Sequence, residues 1–489
     1  MKSIVEYVAY YAAITPDKVA VIADNYETTY FELFELVQKY SQYLKNAGVH
    51  KGDIVIAKAS QTLDYVVLYL AVHFSGAVIA SVEKNLSANA VVDVARKFSA
   101  KVVIGEKVPG NEYHALYIDR DTVLKDAESV NIIDKKYNFP NEYDSADILF
   151  TTGTTGSSKG VELSHRALVA TAENLIYGCG YKKETVLIVP GPLNHANAIR
   201  KLFTTLVNGS TIYILNGMTD LKAFYTALEY QDNNIGCCLP PAAIRTIFLL
   251  TKDRLGRYAD RIDFIESATS PLPEPDKLRL CELLPRTRLY NNYGSSESAS
   301  VCMYDYNKYP GKVGCIGKTM PNSRIIIVDD DKHEIKSSKE HMGLIACIGD
   351  VNMKGYVNEP LLTKKVLKNG VVYTNDIGYM DDEGFIYVSG RKGDVINVGG
   401  FKVAPTEVES AALAIGNIDD CICVPVDDPI TGKALKLLVV CADKEKFNPR
   451  AIQQELAQKL ESYKVPRYIE ETYKVARTYN GKINRKAYL

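Results

Sequence analysis

Apolar, strand-like runs alternate with segments of helical periodicity through the first part of the chain. Residues 53–58, Asp-Ile-Val-Ile-Ala-Lys, have the composition of a buried strand, and residues 101–105, Lys-Val-Val-Ile-Gly, have the same character. Between them, the segment from Asp64 to His73 places apolar residues at helical spacing. Because strands that alternate with helices pair in parallel, this order predicts an α/β fold of parallel-type sheets covered by helices.

Two features towards the C-terminal end of the sequence indicate further subdivisions of the chain. After about Pro321, short strand-like runs are separated by Asp/Gly turns, which predicts an added β-rich subdomain. The segment Ser389–Asp394 is short, polar and glycine-containing, so it is the best candidate for a linker. A chain of 489 residues is too long for one ordinary core. We therefore expect a large N-terminal domain, residues 1–389, and a small α+β C-terminal domain, residues 390–489.

A loop rich in glycine and hydroxyl side chains follows the apolar run Ile148-Leu149-Phe150. The segment from Phe150 to Val161 reads Phe-Thr-Thr-Gly-Thr-Thr-Gly-Ser-Ser-Lys-Gly-Val. Glycines allow the backbone to approach a phosphate closely, hydroxyls and amide N–H groups donate to its oxygens, and Lys159 supplies a positive charge. The loop lacks the adjacent Gly-Lys-Ser/Thr of a Walker loop. A flexible Gly/Ser/Thr turn is the alternative, but a strand and a lysine together favour phosphate binding.

Composition and charge disfavour several classes of protein. The 58 Lys and Arg residues nearly balance the 59 Asp and Glu residues, so no overall field attracts nucleic acid or an anionic membrane. The N-terminus has no signal-peptide core, and no run approaches the roughly 18 apolar residues of a membrane helix. The ten cysteines lack a zinc spacing. We expect reduced thiols, a cytoplasmic location, no nucleic-acid partner and no membrane insertion.

Five blocks, in order along the chain, resemble those of the adenylate-forming superfamily, which comprises acyl-CoA synthetases, nonribosomal peptide adenylation domains and luciferases. The blocks are the phosphate loop Phe150–Val161, Tyr293–Glu297 (Tyr-Gly-Ser-Ser-Glu), Thr374–Asp376 (Thr-Asn-Asp), Gly390–Arg391 and Asn480–Arg485 (Asn-Gly-Lys-Ile-Asn-Arg). With similar segments near the N-terminus, the resemblance extends over nearly the whole chain.

The resemblance implies a two-step ligase reaction. A carboxylate attacks the α-phosphate of ATP in the presence of Mg²⁺, which gives an acyl-adenylate and pyrophosphate, and a thiol then takes the acyl group. The expected substrates are a small carboxylic acid and CoA. Two alternatives stay open: an adenylating enzyme that loads the acyl group onto the phosphopantetheine arm of a separate acyl or peptidyl carrier protein, and a non-catalytic nucleotide-binding protein of the same fold. The lack of a Walker or kinase glycine loop disfavours a kinase-type transferase.

The resemblance also assigns roles to individual residues. The expected catalytic residues are Lys482, His195 and Glu297, of which Lys482 lies on a mobile C-terminal domain and Glu297 also holds Mg²⁺. The expected ATP- and AMP-binding residues are Thr151, Thr152, Gly153, Thr154, Thr155, Gly156, Lys159, Ser267, Ala268, Asn291, Asn292, Tyr293, Gly294, Ser296, Asp376 and Arg391. In that set, Tyr293 stacks on adenine, Asn291 bonds its amino group, and Asp376 and Arg391 contact the ribose. The expected acyl and thiol channel consists of His195, Gly399, Gly400 and Phe401, and the hinge is Gly393.

A few positions depart from the family pattern. Gly393 stands where relatives usually carry Asp or Lys, and Ala476 stands where they frequently carry proline. No aspartate lies in the segment Pro192–Ala198, which favours a simple carboxylic acid over an amino acid as the substrate. Arg200 and Lys201 follow this segment. A second acidic group on the substrate would explain these cations, but we expect them to lie on a solvated helix face.

Overall fold

The computed structural model describes residues 1–111, 113–132, 137–151, 159–399, 401–477 and 483–488. Its α-helices are α1 Ile4–Ile14, α2 Tyr30–Asn46, α3 Leu63–Ser75, α4 Ala88–Lys97, α5 Arg120–Glu128, α6 His165–Cys179, α7 Ala196–Asn208, α8 Leu221–Leu228, α9 Pro241–Thr251, α10 Glu274–Leu283, α11 Pro360–Val366, α12 Pro405–Leu413 and α13 Pro449–Lys459. Short 3₁₀ helices span Arg254–Tyr258, Lys444–Lys446, Ser462–Lys464 and Arg485–Tyr488. In this part of the chain, no helix combines the length and the apolar character that crossing a membrane requires.

The strands follow in the same order. They are β1 Val19–Ala23, β2 Tyr26–Thr29, β3 Ile54–Lys58, β4 Val78–Val82, β5 Val102–Ile104, β6 Leu116–Ile118, β7 Ser145–Thr151, β8 Lys159–Ser164, β9 Val186–Val189, β10 Thr211–Ile214, β11 Ile235–Cys238, β12 Ile262–Ser267, β13 Arg288–Ser295, β14 Ala299–Asp305, β15 Cys315–Thr319, β16 Ser323–Val328, β17 Gly343–Gly349, β18 Gly355–Tyr356, β19 Leu367–Lys368, β20 Val371–Met380, β21 Ile386–Arg391, β22 Ile396–Val398, β23 Phe401–Val403, β24 Ile418–Asp428, β25 Gly432–Cys441 and β26 Tyr468–Glu471.

Seven of these strands form one sheet, in the order β18-β8-β7-β4-β3-β5-β6. The strands from β7 to β6 pair in parallel, whereas β8 and β18 add antiparallel pairs at one edge. Strand β4, Val-Ile-Ala-Ser-Val, is buried along its whole length, as is typical of a parallel strand covered on both faces. This sheet contains the predicted strands of residues 53–58 and 101–105.

A larger, fourteen-stranded sheet of the described residues runs in the order β16-β17-β20-β21-β15-β14-β13-β12-β11-β9-β10-β1-β2, with β19 paired to β20. The strands from β13 to β1 pair in parallel. The strands from β14 to β16 pair antiparallel. The predicted β-rich region after Pro321 is therefore the antiparallel end of this sheet, and the predicted fold class is confirmed.

Helix α7 packs against α6 and α1, and every residue from Ala198 to Asn208 is buried. It ends at Gly209, whose φ of +70° is left-handed and whose Cβ would lie 2.3 Å from the ring of Tyr11. The expectation of a solvated face carrying Arg200 and Lys201 is therefore wrong. Both cations are buried because α7 is enclosed by other elements.

The C-terminal residues form a small α+β unit. Strands β24, β25 and β26 make a sheet of one antiparallel and one parallel pair, and β22 and β23 form a hairpin. Helices α12 and α13 pack on this sheet around a buried core that includes Val408, Leu437 and Leu456. Helix α12 coincides with the helical pattern at residues 405–413, because its apolar spacing is a local signal.

The expected linker, Ser389–Asp394, begins later than its composition suggests. Residues 389–391 belong to β21, where Gly390 pairs with Ile377 and Arg391 with Asp376 on β20. The polar side chains of these residues do not predict a strand. The strand forms because these residues pair with β20, which lies earlier in the chain. The division into residues 1–389 and 390–489 stays a proposal, and the strand favours a border after Arg391.

Candidate active site

A cleft of about 1850 Å³ opens between the two sheets and the C-terminal unit. Its lining comes from β7 and β8, the start of α7, the turn after β13, the strands β20 and β21, and the C-terminal unit. Representative lining residues are Thr151, Lys159, His195, Arg200, Ala268, Ser296, Glu297, Asn375, Arg391 and Asp420. Several of the predicted site residues therefore lie on one cleft, although they come from distant parts of the sequence.

Glu297 is held in the turn after β13 by two contacts from the strand β18 region. The amide of Met353 donates to the carbonyl oxygen of Glu297 at 2.8 Å, and the hydroxyl of Tyr356 donates to its Oε1 at 2.7 Å. The Nζ atom of Lys159 lies 5.4 Å from the ring centroid of the same tyrosine. The predicted metal ligand and the predicted phosphate lysine thus meet at Tyr356, a residue that no sequence motif identified. Burial, together with the charge of Glu297, raises the pKa of Tyr356.

The chemistry around Glu297 fits a magnesium ion that arrives with a nucleotide. Mg²⁺ prefers oxygen ligands and is usually bound through one or two carboxylates together with substrate phosphates. Among the described residues, no group of three or more His, Cys, Asp or Glu side chains is placed to hold a metal ion. A single oriented carboxylate, with Ser296 beside it on the cleft wall, is therefore the donor set expected where phosphates supply the other ligands.

Asp376, Tyr293 and Arg391 form a second group. Tyr293 donates its hydroxyl to Oδ2 of Asp376 at 2.6 Å, and Nε of Arg391 lies 3.1 Å from Oδ1. Asp376 and Arg391 are direct cross-strand partners on β20 and β21. Burial, and then the nearby charge of Asp376, raises the pKa of Tyr293. The two residues expected to contact a ribose are thus held together before any ligand binds.

Strand β13 presents alternate residues to the cleft. Asn292 and Gly294 line it, whereas Asn291 and Tyr293 do not. Asn292 donates through Nδ2 to Glu266 at 2.7 Å and to Ser300 at 3.0 Å. The period of two in a strand gives neighbouring residues opposite faces. The roles predicted for Asn291 and Tyr293 towards adenine stay predictions, and in this structure Asn292 is the amide at the cleft.

The acyl side of the cleft is built by α7 and its N-terminal turn. His195 immediately precedes the helix and donates its amide to Pro192 at 3.0 Å. Arg200 lines the cleft and donates through Nη2 to the carbonyl of Ser295 at 2.8 Å. Lys201 lies on the same helix, with its Nζ 2.8 Å from Oε1 of Glu266 and with both side chains about 1 % exposed. No clear signal in the sequence predicted this burial, because α7 also carries Asn197, Thr204, Thr205 and Asn208.

Several predicted residues lie elsewhere or outside the described residues. Phe401 is 55 % exposed and stacks on Tyr463 with ring centroids 4.5 Å apart, and Gly399 turns the β22–β23 hairpin at a φ of +57°. Neither residue lines the cleft, and Gly393 lies in the turn after β21. Those outside the described residues are Thr152, Gly153, Thr154, Thr155, Gly156, Gly400 and Lys482.

The chain thus combines a large α/β unit and a small α+β unit, and residues of both line the cleft. The sequence matches the family described as AMP-binding enzyme over residues 8–357 and the AMP-binding enzyme C-terminal domain over residues 407–482. The chain belongs to the AMP-binding enzyme family. The resemblance to adenylate-forming enzymes that the motifs indicated is thereby confirmed.

Individual relatives are distant but match the chain from end to end. A long-chain-fatty-acid–CoA ligase of Bacillus subtilis (strain 168) is 26 % identical over 524 residues, covering 98 % of this chain and 92 % of the relative. A 2-succinylbenzoate–CoA ligase of Geobacillus sp. (strain WCH70) is 25 % identical, covering 97 % and 94 %. The structure of O-succinylbenzoate coenzyme A synthetase from Bacillus subtilis, in complex with ATP and magnesium ion, superposes with a TM-score of 0.85 at 21 % identity, covering 98 % of each chain.

Proposed function

We propose that this chain activates a carboxylic acid with ATP as an acyl-adenylate, releases pyrophosphate, and transfers the acyl group to the thiol of CoA. The predicted enzyme class is confirmed: the chain is an AMP-forming ligase of the acyl-CoA synthetase type. One observation carries the assignment of the site. Lys159, Glu297, Arg391 and the α7 wall with His195 all line one cleft, and Asp376 is the cross-strand partner of Arg391.

In the first step, a carboxylate oxygen of the acid bonds to the α-phosphorus of ATP, and the bond to the pyrophosphate oxygen breaks. No proton has to move, because the nucleophile is already an anion. Mg²⁺ on Glu297 would neutralise phosphate charge, and Lys159 would add a positive charge near the leaving group. By resemblance, Lys482 would stabilise the charge that gathers at the α-phosphate.

In the second step, the thiol of CoA gives up its proton to solvent and its sulfur bonds to the acyl carbon, while AMP leaves with the electrons of the broken acyl–phosphate bond. Gly399, Gly400 and Phe401 are assigned to the thiol channel by resemblance. In the described arrangement Phe401 stacks on Tyr463, away from the cleft. The second step therefore requires the C-terminal unit to turn, with Gly393 as the proposed pivot.

The acceptor and the location are finer parts of the proposal. A carrier-protein phosphopantetheine arm is the competing acceptor, and it presents the same thiol chemistry as CoA. Comparison of thioester yield with free CoA and with a purified phosphopantetheinylated carrier protein separates the two. All ten cysteines are free, which supports the proposed cytoplasmic location because that compartment keeps thiols reduced.

The test is the exchange of radiolabelled pyrophosphate into ATP, which reports adenylation and not phosphoryl transfer to an acceptor. We expect acid-dependent exchange in the wild-type protein. Lys482→Ala is expected to lose exchange by about a thousandfold, while thioester formation from pre-made acyl-adenylate stays near normal. Lys486→Ala, an exposed lysine of the same segment, is the control. Equal losses in both half-reactions would contradict the role of Lys482, and no exchange with any acid would contradict the function.

A further inference from the structure

Arg200 is a buried cation with unused hydrogen-bonding capacity. Its side chain lines the cleft, yet the residue is only 7 % exposed. A guanidinium group has five N–H donors. Among the described residues, its hydrogen bonding is the single bond from Nη2 to the carbonyl of Ser295, and no carboxylate reaches ion-pair distance. A buried charge is costly unless an opposite charge compensates it, so this position calls for an anion.

The neighbouring charges do not fill that need. Lys201 and Glu266 neutralise each other at 2.8 Å. Glu297 and Glu266 act on Arg200 only from a distance, and burial outweighs them, lowering the pKa of Arg200 to about 10. The arginine still carries its charge near neutral pH. The anion must therefore come from a ligand in the cleft.

The wall beside Arg200 is polar. Asn197, Cys238, Asn292 and Ser300 also line the cleft, where Asn197 donates to Sγ of Cys238 at 3.3 Å and Asn292 to Ser300 at 3.0 Å. Oδ1 of Asn292 and Oε2 of Glu266 are buried, and neither has a hydrogen-bond partner in the described part of the chain. Both atoms are acceptor oxygens, so neither can pair with a substrate anion. What disfavours a long aliphatic chain here is the buried charge of Arg200 together with the polar side chains that line the cleft. The wall suits a short acid with a polar far end.

We propose that Arg200 binds a second anionic group of the acyl substrate, and that the acid activated by this enzyme is a short dicarboxylic acid. The inference rests on the proposed function, because it concerns the acid that is adenylated. Two other anions in the cleft are the reacting carboxylate and the phosphates of ATP. In the proposed function, Lys159 and the Mg²⁺ held by Glu297 neutralise the phosphates. The anion that Arg200 would bind is therefore at the far end of the acid.

Matched acids test the inference. Succinate is compared with butanoate, glutarate with pentanoate, phthalate with benzoate, and decanoate represents long aliphatic acids. We expect kcat/KM in pyrophosphate exchange to favour a dicarboxylic acid over its matched monocarboxylic acid by at least about tenfold, as charge-assisted hydrogen bonds predict. Arg200→Met keeps the length and the apolar stem. It is expected to remove this preference while leaving the KM for ATP and the rates with monocarboxylic acids within about threefold.

Urea unfolding, measured without and with added acid, is a second test that does not depend on catalysis. Without acid, Arg200→Met is expected to match or exceed the wild-type unfolding midpoint in urea, because it removes an uncompensated buried charge. Succinate, glutarate or phthalate should raise the wild-type midpoint and leave the variant unchanged. Arg200→Lys keeps the charge and should retain part of the preference. Arg286→Met, which makes the same charge change at an exposed pair with Asp260, is the control.

The outcomes separate the two proposals. Exchange that prefers monocarboxylic acids overturns the inference and leaves the proposed function standing. A raised KM for ATP or an equal loss with every acid in Arg200→Met assigns Arg200 to the phosphates or the reacting carboxylate and also overturns it. A strongly destabilised Arg200→Met makes the bond to Ser295 structural and overturns the inference as well. A wild-type protein that exchanges with no acid contradicts the proposed function itself.

Discussion

Glu297 differs from an ordinary surface acid because the surrounding chain orients it. Its carbonyl oxygen accepts from Met353, and its Oε1 accepts from Tyr356. Among the described residues, Oε2 accepts no hydrogen bond and forms no ion pair. One carboxylate oxygen thus fixes the direction of the side chain, and the other would be left for the proposed Mg²⁺. Such outer partners are what keep a metal ligand in its productive orientation.

Glu297→Gln should raise the Mg²⁺ concentration needed for half-maximal pyrophosphate exchange by roughly tenfold or more. The change keeps the size of the side chain and its bond to Tyr356, but it removes the charge that holds the ion. Mg²⁺ titration of exchange at fixed ATP measures the effect. Glu162→Gln on β8, which makes the same change in a carboxylate that does not line the cleft, is the control. An unchanged titration in Glu297→Gln would show that this carboxylate is only structural.

At the scale of elements, β7, α3 and α6 meet at a buried polar cluster. Asp147 on β7 accepts from Tyr69 at 2.8 Å and lies 2.7 Å from Nε2 of His73, both on α3. His165, the first residue of α6, packs edge-on against His73 with ring centroids 5.1 Å apart. Neither ring nitrogen of His165 has a partner within the described ranges. Burial, and then the charges of His73 and Lys51, lowers the pKa of His165 well below its usual value.

This lowered pKa gives a pH prediction for stability. His165 stays neutral in the folded protein, whereas in the unfolded chain it takes up a proton below about pH 6.5. Below that pH the unfolded state binds one more proton than the folded state. The contribution of His165 to the free energy of unfolding is therefore complete above about pH 6.5 and is lost progressively as the pH falls below it. For one such group, the free energy of unfolding falls by about 1.4 kcal/mol for each pH unit below that point.

Replacement of His165 by leucine should remove that slope from the wild-type profile. Urea unfolding at pH 7.5, 6.5, 5.5 and 5.0 measures the two curves, and the difference between them is expected to grow as the pH falls. His333→Leu, at a side chain that is 79 % exposed, should track the wild type. Parallel profiles for wild type and His165→Leu would rule out His165 as the source.

Elements with a local signal could be predicted, and elements defined by distant partners could not. Helix α12 and strand β3 carry their apolar period within their own residues. The strand character of residues 389–391 depends on β20, and the burial of Lys201 depends on Glu266, far along the chain. For the same reason, motifs identified Glu297 and Asp376 but not Tyr356, which enters the site only through the pairing of β18 with β8.

The whole molecule consists of two units with few described contacts between them. Arg245 on α9 donates to the carbonyl of Asp419 at 2.7 Å. Near the connection, Lys392 lies 2.5 Å from Asp330 and donates its amide to the carbonyl of Asn375 at 2.7 Å. These polar contacts are exposed and individually weak. Contacts of this kind would offer little resistance to the rotation that the proposed second step requires.

Gly393→Pro should separate the two half-reactions. Proline fixes φ near −65° and restricts the preceding residue as well, so the turn can no longer pass between two settings. We expect pyrophosphate exchange to persist and thioester formation to fall by at least about tenfold, because the rotation follows the first step. Gly393→Ala is the matched control, since an added Cβ meets nothing within 4 Å in this arrangement. Wild-type rates for both reactions in Gly393→Pro would place the pivot elsewhere.

If Asp376 and Arg391 hold the ribose as proposed, their cross-strand pairing would let the nucleotide influence how the two units are arranged. Arg391 is the last residue of β21, and the chain passes from it directly into the turn that leads to the C-terminal unit. A ribose held by this pair would bias the turn towards one setting. By thermodynamic reciprocity, the factor by which bound AMP shifts the equilibrium between the two settings of the turn equals the ratio of the AMP affinities of those two settings. Retention of AMP until the thioester has formed, and its release afterwards, would then be two expressions of a single coupling free energy.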